Sequence, residues 1–344
     1  MSGKNPFPPE LRAKIEALVD AHVGEAPNHR DLVIDVIGSA LKMLRDVRDR
    51  GDARLVATAL RELRYSFRLF EPYAQHRKVS IFGSARTHPS REEYRLAVEL
   101  GRALAQAGYM VITGAGPGIM HAGHEGAGSE NSFGLNIRLP WEQGANPVIL
   151  GDEKLITFRY FFTRKLMFIR QSDAIVLFPG GFGTLDEGYE ALTLMQTGKA
   201  KLRPLLLMDR PGGTYWRSFD RYVREHLLGN SLISPDDLFL YQLTDRTDEA
   251  VRVINRFYRN YQSARFVREW LVLRLRRAPG AEAIAGLNED FADIMEREGP
   301  FQVVPPFPEE AEDTADASLA RLAFRFDRRS YGRLRQLIDV LNNF

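Results

Sequence analysis

The sequence predicts an α/β protein: a doubly wound parallel sheet preceded by a helical arm and followed by a small α+β unit. Three observations predict it. From residue 78 to residue 261, short apolar runs of strand type alternate with amphipathic helical spacing, the β-α-β-α-β order of a parallel sheet covered by helices. Several strand ends run into glycine-bearing turns, at Gly83-Ser84, at 114–118 and at 179–184, and ligands of such sheets bind outside the carboxyl ends of the strands. Residues 10–75, by contrast, carry helical periodicity with almost no strand character.

In the arm, Leu32, Val33, Val36, Ile37, Ala40, Leu41 and Leu44 fall at i, i+3, i+4, i+7 spacing. Arg50-Gly51-Asp52 is a break, and a second amphipathic run covers 55–70, ended by Glu71-Pro72. Two antiparallel helices are expected. Their arginines, Arg45, Arg48, Arg61, Arg64 and Arg68, fit a solvated face better than a binding patch.

The sheet strands are expected at 79–83, 109–113, 133–139, 173–178, 204–208 and near 239–243. Helices are expected at 92–107, from the 114–118 turn to about 126, and at 157–170, 184–196, 214–228 and 247–261. In the tail, 271–276 and 322–326 alternate apolar with basic residues and could pair, 301–304 is short and extended, and 282–297 and 331–342 are helical. The proline- and acid-rich stretch 305–318 is expected as a flexible connection. The sequence units are therefore 1–77, 78–261 and 262–344.

Composition sets the broad class. The 344 residues, 44% hydrophobic and 27% charged, are those of a soluble globular protein, and no apolar stretch approaches a membrane span. The first residues lack the apolar centre of a secretory signal, so a cytoplasmic protein is expected. Cysteine is absent, which excludes disulfides, thiolate nucleophiles and cysteine-ligated metals. The net charge of +2 argues weakly against nucleic acid as a partner.

The stretch 178–187, FPGGFGTLDE, joins an apolar strand run to a helical run. Glycines 180, 181 and 183 let bare amides approach an anion, and the helix start adds the positive end of its dipole. Thr184 and Glu187 also spell T-x-x-E, a capping box in which both side chains serve only the helix start. Both readings stand on these residues alone.

Other motifs are weaker. GAGPGIM at 114–120 is not a Walker A loop, for no Lys-Ser/Thr follows, and it departs from G-x-G-x-x-G. Thr163-Arg164-Lys165 places two adjacent cations in an apolar and aromatic run, and arginine offers a planar fork for phosphate or a base edge. His121 and His124 are one turn apart, but no H-E-x-x-H or third ligand is evident, so no metal is expected. No G-x-S-x-G is present for a serine nucleophile.

Arg164-Lys165 followed by PGGFGTLDE at 179–187 resembles the LOG family of cytokinin-activating nucleoside monophosphate phosphoribohydrolases, with their PGGxGTxxE motif and upstream RK pair. FGSAR at 82–86, ITGAGPGIM at 112–120 and GLNIRLPWEQ at 134–143 are similar to its longer bacterial branch, and the resemblance spans roughly 78–260. It implies a Rossmann-like sheet, a homodimer or higher homo-oligomer, and hydrolysis of a nucleoside 5′-monophosphate, AMP or a cytokinin-type nucleotide, to free base and ribose 5-phosphate. By motif, Arg164 and Glu187 are the catalytic pair. Gly180, Gly181, Gly183 and Thr184 hold phosphate, with Ser84, Gly116 and Lys165 as further substrate-binding residues.

No cofactor is implied. The family is often labelled lysine decarboxylase, but the set a pyridoxal enzyme needs is not evident. The chain departs from the family pattern at His121-Ala122-Gly123-His124, where relatives carry Glu-Ala-Ala-Asn, and in GAG for GGG. A non-catalytic nucleotide or cofactor carrier of the same fold is the alternative reading, and nucleic-acid binding by the helical arm ranks last.

Overall fold

The computed structural model describes residues 8–22, 29–139, 144–296, 299–310 and 316–344. The chain divides into two compact units, Met1–Tyr65 and Ser66–Phe344. Helices α1 (Pro9–Asp20) and α2 (Arg30–Asp46) belong to the first, and α3 (Arg50–Phe70) runs across the boundary.

In the first unit Ile15, Val19 and Ile34 form a small core, with Leu11 and Ile37 packed against it. The arm thus has a helix, α1, beyond the two expected from the spacing. The periodic stripe of α2 is helical as expected, yet Leu32, Val36, Leu41 and Leu44 are exposed, and Ile34 is the buried aliphatic residue. Periodicity fixed the helix but not the face that α1 covers.

The second unit is built on a seven-stranded, wholly parallel sheet in the order β4-β3-β2-β1-β5-β6-β7. Its strands are β1 (Lys78–Phe82), β2 (Met110–Thr113), β3 (Ser132–Ile137), β4 (Leu155–Phe158), β5 (Ala174–Leu177), β6 (Leu205–Met208) and β7 (Gln242–Thr244). The helices between them are α4 (Glu92–Gln106), α5 (Ile119–Ala127), α6 (Phe161–Gln171), α7 (Phe182–Gln196), α8 (Tyr215–Tyr222) and α9 (Thr247–Phe257). Every residue of β1, β2, β5 and β6 is buried, which is why these strands read as unbroken apolar runs rather than alternating ones. Val79, Ile81, Val111, Val176 and Leu206 pack with Leu100, Leu104, Ile119 and Ile254 on one face.

The sequence missed β4. Residues 157–158, expected to open a helix, are the end of this edge strand, in register with Asn136 and Ile137 of β3. Its four residues alternate in burial, and so short an alternation is hidden by the aromatic run that follows it. The last sheet strand is also later than expected, because a 3-10 helix occupies Pro235–Leu240.

The C-terminal segment forms a second sheet, β8 (Tyr261–Val267), β9 (Trp270–Leu275), β10 (Gln302–Val304) and β11 (Ala320–Phe324), antiparallel in the order β10-β11-β9-β8. Helices α10 (Ala281–Asp290) and α11 (Tyr331–Leu341) accompany it. The two basic-apolar segments do pair, with Arg274 directly opposite Arg321. Like charges at that position are tolerable only with a carboxylate between them, and Glu310 supplies it, 2.6 Å from Arg274 Nη2 and 3.6 Å from Arg321 Nε. The stretch expected as a flexible connection is therefore anchored at Glu310, which is buried; its residues 311–315 lie outside those described. β8 has no counterpart among the expected elements: the expected helix ends at Tyr261, the first residue of β8, whereas α9 stops at Phe257, and no element is expected over 262–267.

Candidate active site

The sheet order reverses between β1 and β5, and a ligand crevice opens at such a point. The turns after β1, β2 and β5 meet there. Ser84 N donates to Pro179 O at 3.1 Å, joining the first turn to the third, and Ile119 N donates to Ser84 O at 3.1 Å, joining the second to the first. Gly118 sits at φ 65°, where a Cβ would lie 2.3 Å from Ser84 O, so this crossing requires glycine.

The turns enclose a cavity of about 880 Å³. Seven of the nine residues expected from the sequence line it: Ser84, Gly116, Arg164, Gly181, Gly183, Thr184 and Glu187. Gly180 and Lys165 are not among the lining residues. A Cβ on Gly180 would meet Thr184 Oγ1 at 2.1 Å, and Tyr215 OH donates to its carbonyl at 2.7 Å, so Gly180 lets the turn close on itself. Lys165 Nζ lies 2.6 Å from Asp186 Oδ2 and 3.1 Å from Glu190 Oε2. Arg86, Met120, Asn136, Phe161 and Asp186 also line the cavity and were missed. Arg86 could have been found, since it closes the FGSAR run just past a strand end, whereas Asn136 and Phe161 carry no local signal. Of GLNIRLPWEQ, residues 140–143 lie outside those described.

The capping-box reading fails. Helix α7 starts at Phe182 with Gly181 as N-cap and without a side-chain cap, because the glycine turn lets the chain enter the helix two residues before Thr184. Thr184 lies within the first turn and is buried, and Glu187 lies in the second turn. First-turn amides and the dipole therefore face the cavity from a helix that no side chain caps, the arrangement that favours an anion.

Glu187 is half-buried, and its Oε2 has no hydrogen-bond partner among the described residues. Burial pushes its carboxyl up to about 7, while Lys165 and Arg164 pull it back. Arg164 is fixed by donation from Nε to Leu135 O at 2.8 Å, and its guanidinium carbon lies 5.3 Å from the centre of the Phe168 ring. A carboxylate that titrates near neutrality and a fixed guanidinium thus share one cavity with an anion cradle.

Neither histidine singled out above joins the site as a metal ligand. His121 Nδ1 is 3.1 Å from Tyr94 OH, His124 is fully buried among hydrogen-bond partners, and no group of three or more His, Asp or Glu among the described residues could hold a metal. No helix among them is long and apolar enough to cross a membrane.

Residues 116–254 match the family model described as "Possible lysine decarboxylase". The chain is 30% identical over 148 residues to the cytokinin riboside 5′-monophosphate phosphoribohydrolase LOG of Oryza sativa subsp. japonica, which covers 41% of this chain and 59% of that protein. It is 28% identical over 172 residues to the cytokinin riboside 5′-monophosphate phosphoribohydrolase of Mycobacterium tuberculosis, 47% of this chain and 84% of that one. It is also 28% identical over 152 residues to the pyrimidine/purine nucleotide 5′-monophosphate nucleosidase of Escherichia coli, 41% of this chain and 33% of that one. Among solved structures, the molybdenum cofactor carrier protein of Chlamydomonas reinhardtii aligns at a TM-score of 0.38 with 19% identity, over 53% of this chain and 97% of that one, a likeness too slight to carry argument.

The resemblance to the LOG family is thereby shown, with residues 116–254 matched by the family model. The family model's description implies a pyridoxal enzyme, whose lysine must face the cofactor. The residues do not fit that group: no lysine is among the described lining residues, and Lys165 is engaged by Asp186 and Glu190.

Proposed function

We propose that this chain hydrolyses the N-glycosidic bond of a nucleoside 5′-monophosphate, AMP or a cytokinin-type nucleotide, to free base and ribose 5-phosphate. The observation that carries the reading is Glu187: a half-buried carboxyl with a pKa of about 7 and one unpartnered oxygen, in a cavity shared with Arg164 and the glycine turn. The names of the relatives in rice, Mycobacterium tuberculosis and Escherichia coli support the same class of reaction.

In this reading the phosphate rests on the start of α7, at Gly181, Gly183 and Thr184, with Ser84 and Gly116 on the adjoining turns. The C1′–N bond breaks with its electron pair leaving on the base, which takes up a proton, and water adds hydroxide to C1′ and releases its other proton. Positive charge grows on the ribose in the transition state, so ionised Glu187 stabilises it and orients the water. Arg164 offers its fork to the departing base or to the phosphate. Lys165 holds Asp186 and keeps positive charge beside Glu187.

A homodimer is part of the proposal. Phe161, Phe162, Leu166 and Phe182 are exposed on α6 and α7, with Phe161 and Phe182 at the cavity, and a second copy would cover them. Light scattering that gives a monomer mass would remove this part. The reaction is placed in the cytoplasm, which cell fractionation tests. The reaction itself is tested by incubating the protein with a panel of nucleoside 5′-monophosphates and separating free base and ribose 5-phosphate; a folded protein that releases neither from any of them sinks the reading.

A further inference from the structure

We infer that His124 and Asn146 are positioning residues, a buried clamp that sets the path of the 114–118 turn and, through it, the place of Arg164; the inference rests on the reading above of Arg164 and Glu187. The turn needs such a clamp. Ala115 is buried at φ 60°, a left-handed conformation unfavourable for a residue with a Cβ. Both of its backbone groups are tied: Ala115 N donates to Thr113 Oγ1 at 3.0 Å, and its carbonyl accepts from Asn146 N at 2.7 Å.

The side chains close the ring. Asn146 Nδ2 donates to Gly116 O at 3.1 Å and lies 3.2 Å from His124 Nδ1. The carbonyl of Gly116 accepts only, so it fixes the amide with nitrogen toward the turn, and His124 Nδ1 must then accept. The proton of His124 therefore sits on Nε2, which is 3.1 Å from Phe133 O and 3.0 Å from Thr113 Oγ1. A neutral imidazole of that tautomer accepts from Asn146 and donates toward Phe133 O and Thr113 Oγ1, while Asn146 Oδ1 is buried without a hydrogen-bond partner among the described residues; burial lowers the His124 pKa to about 4. The hydrogen bonds of the His124 side chain go to Thr113, Phe133 and Asn146, none of them a lining residue; it reads on the cavity through Asn146, Thr113 and the turn.

The turn reaches the proposed catalytic guanidinium. A Cβ placed on Gly114 would lie 2.5 Å from Arg164 Nη2 and 2.6 Å from Met120 Sδ, so any outward shift of this strand of backbone displaces Arg164. Arg164 is in turn held to Leu135 O, two residues past the carbonyl that receives His124. The clamp thus spans the β2 and β3 ends that Arg164 lies across. The His124 ring reaches both Asn146 and Phe133 O.

The test uses the full chain with Asn146→Ala, His124→Ala, His124→Gln and the double Asn146→Ala/His124→Ala, read by hydrogen exchange of residues 113–118 and by kcat and KM on the most rapidly cleaved nucleotide. Asn146→Ala lies at the edge of the core and should fold even if His124→Ala does not. The clamp predicts faster exchange confined to 113–118, a fall in kcat of about tenfold or more with a smaller change in KM, partial rescue by His124→Gln, and a double variant no worse than the worse single one. Unchanged exchange at 113–118, or loss of protection spread evenly over the sheet, overturns it. The exchange readout does not need turnover, so failure of the hydrolysis reading and failure of the clamp are separately visible.

Discussion

Lys165 and Asp186 form an ion pair of 2.6 Å between α6 and α7, and each is the chain neighbour of a proposed catalytic residue, Arg164 and Glu187. The pair therefore ties together the two helices that carry those residues. Burial works against the Lys165 ammonium, but Asp186, Glu187 and Glu190 outweigh it and hold its pKa above the ordinary lysine value.

Removing this cation should move a titration. Lys165 is the larger of the two charges that pull Glu187 down, so Lys165→Met raises the Glu187 pKa above about 7. If the ionised carboxylate is the active form, the acidic limb of the pH–rate profile shifts to higher pH and kcat at neutral pH falls. A limb that stays in place in Lys165→Met would separate Glu187 from that limb.

Glu187 also leaves a mark on stability. Its folded pKa of about 7 lies above the ordinary 4.5, so between these values the folded chain holds a proton that the unfolded chain releases. Stability contributed by the protonated carboxyl is thus present below about 4.5 and is lost as pH rises toward 7. Glu187→Gln does not titrate, so its Tm should gain on the parent across this window and run parallel to it above. A constant difference from pH 4 to 8 contradicts the buried carboxyl.

Gly114→Ala tests the packing of the turn on Arg164. The new Cβ would meet the ends of two side chains, Arg164 Nη2 and Met120 Sδ, which can move, so the fold should survive while turnover drops by about tenfold or more. Circular dichroism and the product assay read the two effects apart; retained turnover would mean that Arg164 has room to spare.

In the C-terminal sheet, Glu310→Ala should cost about 3 kcal/mol in urea unfolding, because it removes the carboxylate shared by buried Arg274 and Arg321 and leaves the facing pair with Asp316 on Arg274 Nη1. A change within about 0.5 kcal/mol would show that water replaces Glu310.

The sheet was legible where burial on both faces writes a strand as an apolar run, as at 79–83 and 174–177. β4 was not, since its alternation lasts four residues and borders the aromatic start of α6. The cradle was legible because glycine spacing reports a local turn, and Arg164 with Glu187 because they stand in motifs of fixed order. Local sequence could not tell that α7 begins at Phe182, which decides whether Glu187 caps a helix or faces a cavity. Nor could it pair His124 with Asn146, whose 22-residue separation is closed only by the sheet. The role of Glu310 was hidden for the same reason, in a stretch whose composition alone suggests a linker.

The central claim is that Glu187 carries hydrolysis of a nucleoside 5′-monophosphate, and one comparison tests it most directly: product release from the monophosphate panel by the parent chain and by Glu187→Ala, with nucleotide binding followed in parallel. The account predicts free base and ribose 5-phosphate from the parent on at least one purine nucleotide, and turnover lost in Glu187→Ala while binding is largely kept. Equal turnover by the two proteins, or binding by the parent without any product, would contradict it.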